Sequence, residues 1–139
     1  MIPFVLDASV ALSLIFEDEF SPYSDAVAEV LKRGHAVVPL VWPLEIANAI
    51  LTAVRRGRIP GAHAPSLIGS IDRLRVTIDR GIAPEFLPQA TLTIGIAHRV
   101  SAYDATYLEL AMRRGLPLAT QDEGLRRAAR TAGIDIMQP

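Results

Sequence analysis

Four carboxylates stand out by their settings: Asp7 in LDASV, Glu45 in PLEIANAIL, Asp104 in SAYDATYLELAM and Asp122 in TQDEGL. Asp104 is the least expected of them. Thr106, Glu109 and Arg113 share one polar flank of its helix, and at about 100° per residue Asp104 lies roughly 200° from Thr106, on the side of Leu108 and Ala111. Each acid also has an ordinary explanation. Asp7 suits the cap of a following helix, although Ser9 is an equally good cap. Glu45 shares a narrow polar stripe with Asn48 and Thr52. Ser101 and Asp104 fit an imperfect capping box, since Glu or Gln is the usual partner, and a first-turn acid also suits the positive helix end. Asp122 fits a helix N-cap. Together they suggest more. Two like charges 4 Å apart cost about 1 kcal/mol in water and about 4 kcal/mol at an effective dielectric of 20. A converging set is therefore stable only when protonated or when it holds a cation. There is no cysteine, and His35, His63 and His98 have no ligand spacing. An oxygen-only set suits Mg²⁺ or Mn²⁺, and the natural chemistry is metal-assisted phosphoester hydrolysis.

The elements that would position these acids follow from apolar pattern and punctuation. PFVL (3–6), AVVP (36–39), VTID (76–79), LPLAT (116–120) and IDIM (134–137) have strand character. Helices are expected over 8–16, 21–34, 43–57, 60–74, 84–98, 101–115 and 122–133, with EDEF (17–20) as a loop. Ser21, Pro22 and Gly34 punctuate the second helix, and Gly57 and Gly115 stop two others. The strands are short, apolar and not alternating in polarity, so they belong to a parallel sheet covered on both faces, an α/β three-layer arrangement. Ligands of such sheets bind beyond the carboxyl ends of the strands. Asp7 directly follows the first strand, and Asp122 closely follows LPLAT.

Composition sets the bounds. A chain of 139 residues, half of them hydrophobic, suggests one domain spanning 1–139 with a sizeable core. The formal net charge of −1 predicts no strong whole-protein attraction to nucleic acid or membrane, so an anionic ligand needs a local patch or a metal ion. The longest stretches without a charged residue, 59–71 and 86–98, contain proline and fall short of the about 20 apolar residues of a membrane span. MIPFVLDASVAL lacks a basic leader region, so it does not read as a signal peptide. The absence of cysteine is compatible with a reducing compartment. The expectation is a soluble, cytoplasmic protein with no membrane partner.

With these residues in place, the chain resembles the PIN-domain ribonucleases, and among them the VapC toxins of bacterial toxin–antitoxin pairs. LDASV, PLEIANAI, SAYDATYLELA and TQDEGL carry the likeness, in order and across the whole chain. It implies a PIN-like, Rossmann-like three-layer sandwich with a central parallel sheet of about four or five strands. It also implies an endoribonuclease dependent on Mg²⁺ or Mn²⁺. By position, Asp7, Asp104 and Asp122 would surround the metal, directly or through water. Glu45 would hold a water or orient the nucleophile, completing a catalytic set of Asp7, Glu45, Asp104 and Asp122. Ser9, Asn48 and Thr120 would support them by hydrogen bonds. RNA as substrate, a small VapB-like antitoxin and a homodimer are the implied partners. One departure is visible: many relatives carry Trp in the first helix, where this chain has Leu14, Ile15 and Phe16.

Arg55, Arg56 and Arg58 form the only dense basic cluster. They are either a solvated helix end favourable to the dipole or candidate RNA contacts. Two other function classes compete. A Rossmann-like phosphatase or phosphotransfer domain fits poorly. A dehalogenase-type site wants a second Asp where Ser9 stands, and a receiver domain wants a late lysine where the only lysine is Lys32. A non-catalytic PIN-fold binding subunit would have no need of four acids.

Overall fold

The computed structural model describes residues 2–139. Its frame begins with β1 (Phe4–Leu6), α1 (Ala8–Ser13), α2 (Pro22–Leu31), β2 (Ala36–Val38), α3 (Trp42–Arg55), α4 (Ala64–Asp72) and β3 (Val76–Ile78). It continues with α5 (Leu87–His98), α6 (Ala102–Arg114), β4 (Leu118–Ala119) and α7 (Glu123–Thr131). Among the described residues the strands form one parallel sheet in the order β3-β2-β1-β4. β1, β2 and β4 are buried at every position, which is why their sequences do not alternate. β3 is the edge strand and is only partly buried.

The strand order reverses direction once. The chain moves outward from β1 through β2 to β3, then returns across the sheet to place β4 on the other side of β1. Right-handed crossovers then put α1–α4 on one face and α5–α7 on the other. Packing agrees: α3 contacts α1 and α4, whereas α6 contacts α5 and α7. The core between the layers includes Phe4, Val5, Leu6, Val37, Trp42, Tyr107 and Leu108. No helix among the described residues is long and apolar enough to cross a membrane.

Three local expectations are corrected, two of them for one reason. Residues 60–74 form a 3₁₀ turn at Gly61–His63 before α4, and residues 84–98 form one at Pro84–Phe86 before α5. Pro65 and Pro88 each sit in the first turn of the following helix, because a proline ring clashes with the carbonyl four residues earlier and is tolerated only there. IDIM forms a single parallel bridge, Leu118↔Ile136, because β4 is two residues long and offers little to pair with. The EDEF loop contains a 3₁₀ turn at Glu17–Glu19.

Leu6 is fully buried directly before Asp7. Leu6→Ala should cost about 2–5 kcal/mol, whereas Leu6→Met should cost less than about 1.5 kcal/mol. Urea unfolding of the two variants checks this.

Candidate active site

The β1–β4 pairing positions the first acid. Leu6 is in register with Ala119, and the backbone N–H of Asp7 donates to the Ala119 carbonyl at 3.0 Å, so Asp7 lies beside Thr120 at the strand ends. This is where the strand order reverses, the place where parallel sheets open a crevice. The Asp7 carboxylate accepts from the Ser9 hydroxyl at 2.7 Å, from the Thr120 hydroxyl at 2.7 Å and from the Ser9 N–H at 3.3 Å. It thereby caps α1 as well. The Thr120 hydroxyl in turn accepts from the Asp122 N–H at 3.1 Å, and Asp122 Oδ2 caps α7 by accepting from the Leu125 N–H at 2.7 Å.

Glu45 enters from the first turn of α3. The buried Tyr107 hydroxyl donates to its Oε1 at 2.5 Å and accepts from the Ala8 N–H at 3.2 Å. One phenol therefore joins α6, the end of β1 and the start of α3. Burial pushes the Glu45 carboxyl above the usual range, the Tyr107 bond pulls it back, and the charges of Asp7 and Asp104 push it up again. Burial, then the charges of Asp7 and Glu45, hold the Tyr107 phenol far above its ordinary value, so it remains a donor.

Asp104 stands in the first turn of α6. Ser101 caps that helix, its hydroxyl accepting from the Asp104 N–H at 3.1 Å. The capping box does not close: among the described residues the Asp104 carboxylate accepts no hydrogen bond. Its carboxyl is raised by burial first, then by Asp7 and by Asp122. The structure thus brings all four acids into one electrostatic group. Glu45 feels Asp7 and Asp104, and Asp104 feels Asp7 and Asp122.

The other named residues divide. Ser9 and Thr120 touch Asp7 directly. Asn48 is exposed beside Glu45 on α3 and makes no side-chain hydrogen bond among the described residues. Arg55 and Arg56 are exposed at the opposite end of α3, about 15 Å along the helix from Glu45 at 1.5 Å per residue. Arg58 pairs with Asp18 and Glu19 and lies over the Phe16 ring at 4.2 Å, so this cluster is not brought beside the acids. Two residues escaped the sequence reading. Nothing in the sequence analysis singles out Tyr107, and the available signal is that a buried tyrosine needs a partner for its hydroxyl. Arg126 donates to the Thr120 carbonyl at 2.6 Å and lies over the Tyr23 ring at 4.9 Å, steadying the loop that carries Thr120.

The donors are carboxylate and hydroxyl oxygens, the set a hard divalent cation prefers. Among the described residues no three acidic or histidine side chains form a ready-made metal cage. A hard divalent cation held by one or two of these carboxylates and by water would fit such donors.

The sequence profile described as PIN domain matches residues 4–131. Among solved structures, the chain is similar to PAE2754 from Pyrobaculum aerophilum, with a TM-score of 0.68 and 24% identity over 97% of this chain and 84% of that one. At that identity the likeness concerns the fold. No curated protein matches the chain.

Two variants test this electrostatic arrangement. Because the folded pKa of Asp104 is raised, the folded state binds its proton more tightly than the unfolded state. Ionised Asp104 therefore lowers stability, a cost absent below the unfolded pKa and complete above the folded one. In EDTA, Asp104→Asn should melt higher than the parent at pH 7, and the gap should close below about pH 4. A variant that melts lower at pH 7 would mean that the carboxylate's main role is to support the helix. Tyr107→Phe leaves the buried Ala8 N–H without its partner and should cost about 1–3 kcal/mol in urea unfolding.

Proposed function

The chain belongs to the PIN-domain family, whose members are typically metal-dependent nucleases, and from that premise we propose that it is an endoribonuclease working at Asp7, Glu45, Asp104 and Asp122. One observation carries the reading: four acids from four separate segments gather at the carboxyl end of the sheet, and Glu45 and Asp104 are both raised, by burial first and then by the charges of their acidic neighbours. A fold gains nothing from such repulsion unless a cation or a proton relieves it there.

In this reading Asp7, Asp104 and Asp122 would surround a divalent cation, Mg²⁺ or Mn²⁺, directly or through water. Bound there, the ion would lower the pKa of a water and offset charge on the scissile phosphate. Glu45 accepts the proton of the attacking water. Its raised pKa brings it closer to working pH, where a base is most effective, and Tyr107 holds the accepting carboxylate in place. Ser9 and Thr120 fix the Asp7 oxygens, so the carboxylate need not reorganise when charge develops. The water adds to phosphorus, the ester P–O bond breaks, and the leaving oxygen takes a proton from solvent. Asn48, exposed beside Glu45, is assigned a supporting contact to substrate or water. The toxin role, a small antitoxin partner and a homodimer belong to this proposal through the VapC likeness of the four motifs.

Purified free of any partner, the protein should cleave RNA with Mg²⁺ or Mn²⁺ and stop in EDTA. Asp7→Asn and Asp104→Asn should each lose cleavage by at least about 100-fold, the scale on which displaced catalytic or metal-site groups matter, while circular dichroism shows a folded chain. Unchanged cleavage by Asp104→Asn would remove that residue from the site.

A further inference from the structure

A cleft of about 700 Å³ lies between the α5–α6 turn and α7, and its lining includes Arg99, Val100, Ser101, Asp104, Gly124 and Arg127. It opens against Asp104, so it adjoins the acids. We propose, on the basis of the nuclease reading, that this cleft seats the phosphate backbone of a single RNA strand, with Arg99 and Arg127 as its phosphate contacts.

Charge makes the first argument. The whole chain carries a formal charge of −1, so attraction to a polyanion must be local. Arg58, Arg113 and Arg114 are engaged with Asp18, Glu19, Asp79 and Glu109. Among the described residues, neither Arg99 nor Arg127 forms an ion pair or a side-chain hydrogen bond, and both are exposed. Two uncommitted guanidinium groups in one concavity beside an acidic centre can hold phosphates on one side of a scissile bond, while the acids receive the bond itself.

Backbone and space agree. Arg99 ends α5 in the left-handed region at φ 56°, the only non-glycine residue with positive φ among those described. Glycine would relax that position, since a side chain there costs of order 1 kcal/mol, and the arginine puts a cation at the mouth of the cleft instead. Gly124 keeps the wall thin at Asp122: an added Cβ would stand 3.3 Å from Asp122 Oδ2. The volume is that of a ligand-sized site. A positive groove that tracks the backbone is the common device for single strands.

The test is fluorescence anisotropy of a labelled single-stranded RNA with the full chain in EDTA, where cleavage is off, across a salt series. Arg99→Ala/Arg127→Ala should weaken binding about tenfold or more. It should also flatten the plot of log affinity against log salt by about 1.4, at 0.7 per single-strand phosphate contact. Arg99→Lys/Arg127→Lys should keep most of the slope, and Arg55→Ala/Arg56→Ala should bind like the parent. Parent-like affinity and slope in the double alanine variant, no binding by the parent, or equally tight binding of duplex RNA would each overturn the proposal. Mg²⁺ cleavage assays separate it from the nuclease reading. RNA binding that depends on both arginines without any cleavage leaves the cleft standing and removes the catalysis. Cleavage whose KM is unchanged in the double alanine variant does the reverse.

Discussion

A carboxylate at the buried end of a parallel strand must be hydrogen-bonded, because an unpaired charge there costs several kcal/mol. Asp7 meets that constraint with three donors, and the rest of the site depends on how they reach it. Two come from Ser9, which is in place because α1 starts directly after β1. The third comes from Thr120, which is in place because β4 pairs with β1. The same Thr120 hydroxyl receives the Asp122 N–H, so one short chain of hydrogen bonds links two strand ends and the starts of two helices. The strand order is thereby tied to the chemistry: with β4 beside β3 instead, Asp7 would lose a donor and Asp122 would lie across the sheet.

The four acids are unequally satisfied. Asp7 has three donors, Asp122 has the Leu125 N–H, Glu45 has the Tyr107 hydroxyl, and Asp104 has none among the described residues. The carboxyls of Glu45 and Asp104 are raised, by burial first and then by the charges of their acidic neighbours. Asp7 and Thr120 form the more firmly hydrogen-bonded side of the group, and Glu45 and Asp104 the less firmly bonded one. Tyr107 supports this division. Its buried ring belongs to the core, and its hydroxyl holds Glu45 against the turn that follows β1.

Much of this was legible in the sequence. Short apolar runs separated by helical patterns indicated a parallel sheet covered on both faces, and the helical wheel of SAYDATYLELAM placed Asp104 off its polar flank, where it is half-buried. Other features depend on partners distant in the chain. Nothing around Arg58 points to Asp18 and Glu19, some 40 positions earlier, and those two acids take it out of the basic cluster. Nothing around Tyr107 points to Glu45 or Ala8. The proline-bounded turns at 61–63 and 84–86 are local, but a helical pattern continues across them, and only the ring's clash with a preceding carbonyl sets where each helix begins.

Capping and catalysis looked like rival explanations for the acids. At Asp7 and Asp122 the two are compatible, because a carboxylate has about four lone-pair sites and the bonds at Asp7 take three of them, those at Asp122 one. A helix starting at the carboxyl end of a parallel strand needs an acceptor for its free N–H groups. An acid placed there meets that need and also faces the crevice where a cation would sit. At Asp104 the explanations separate. Ser101 does the capping, and the Asp104 carboxylate, half-buried near Asp7 and Asp122, accepts no hydrogen bond among the described residues. In the nuclease reading, an acid in that position is kept for what the site binds.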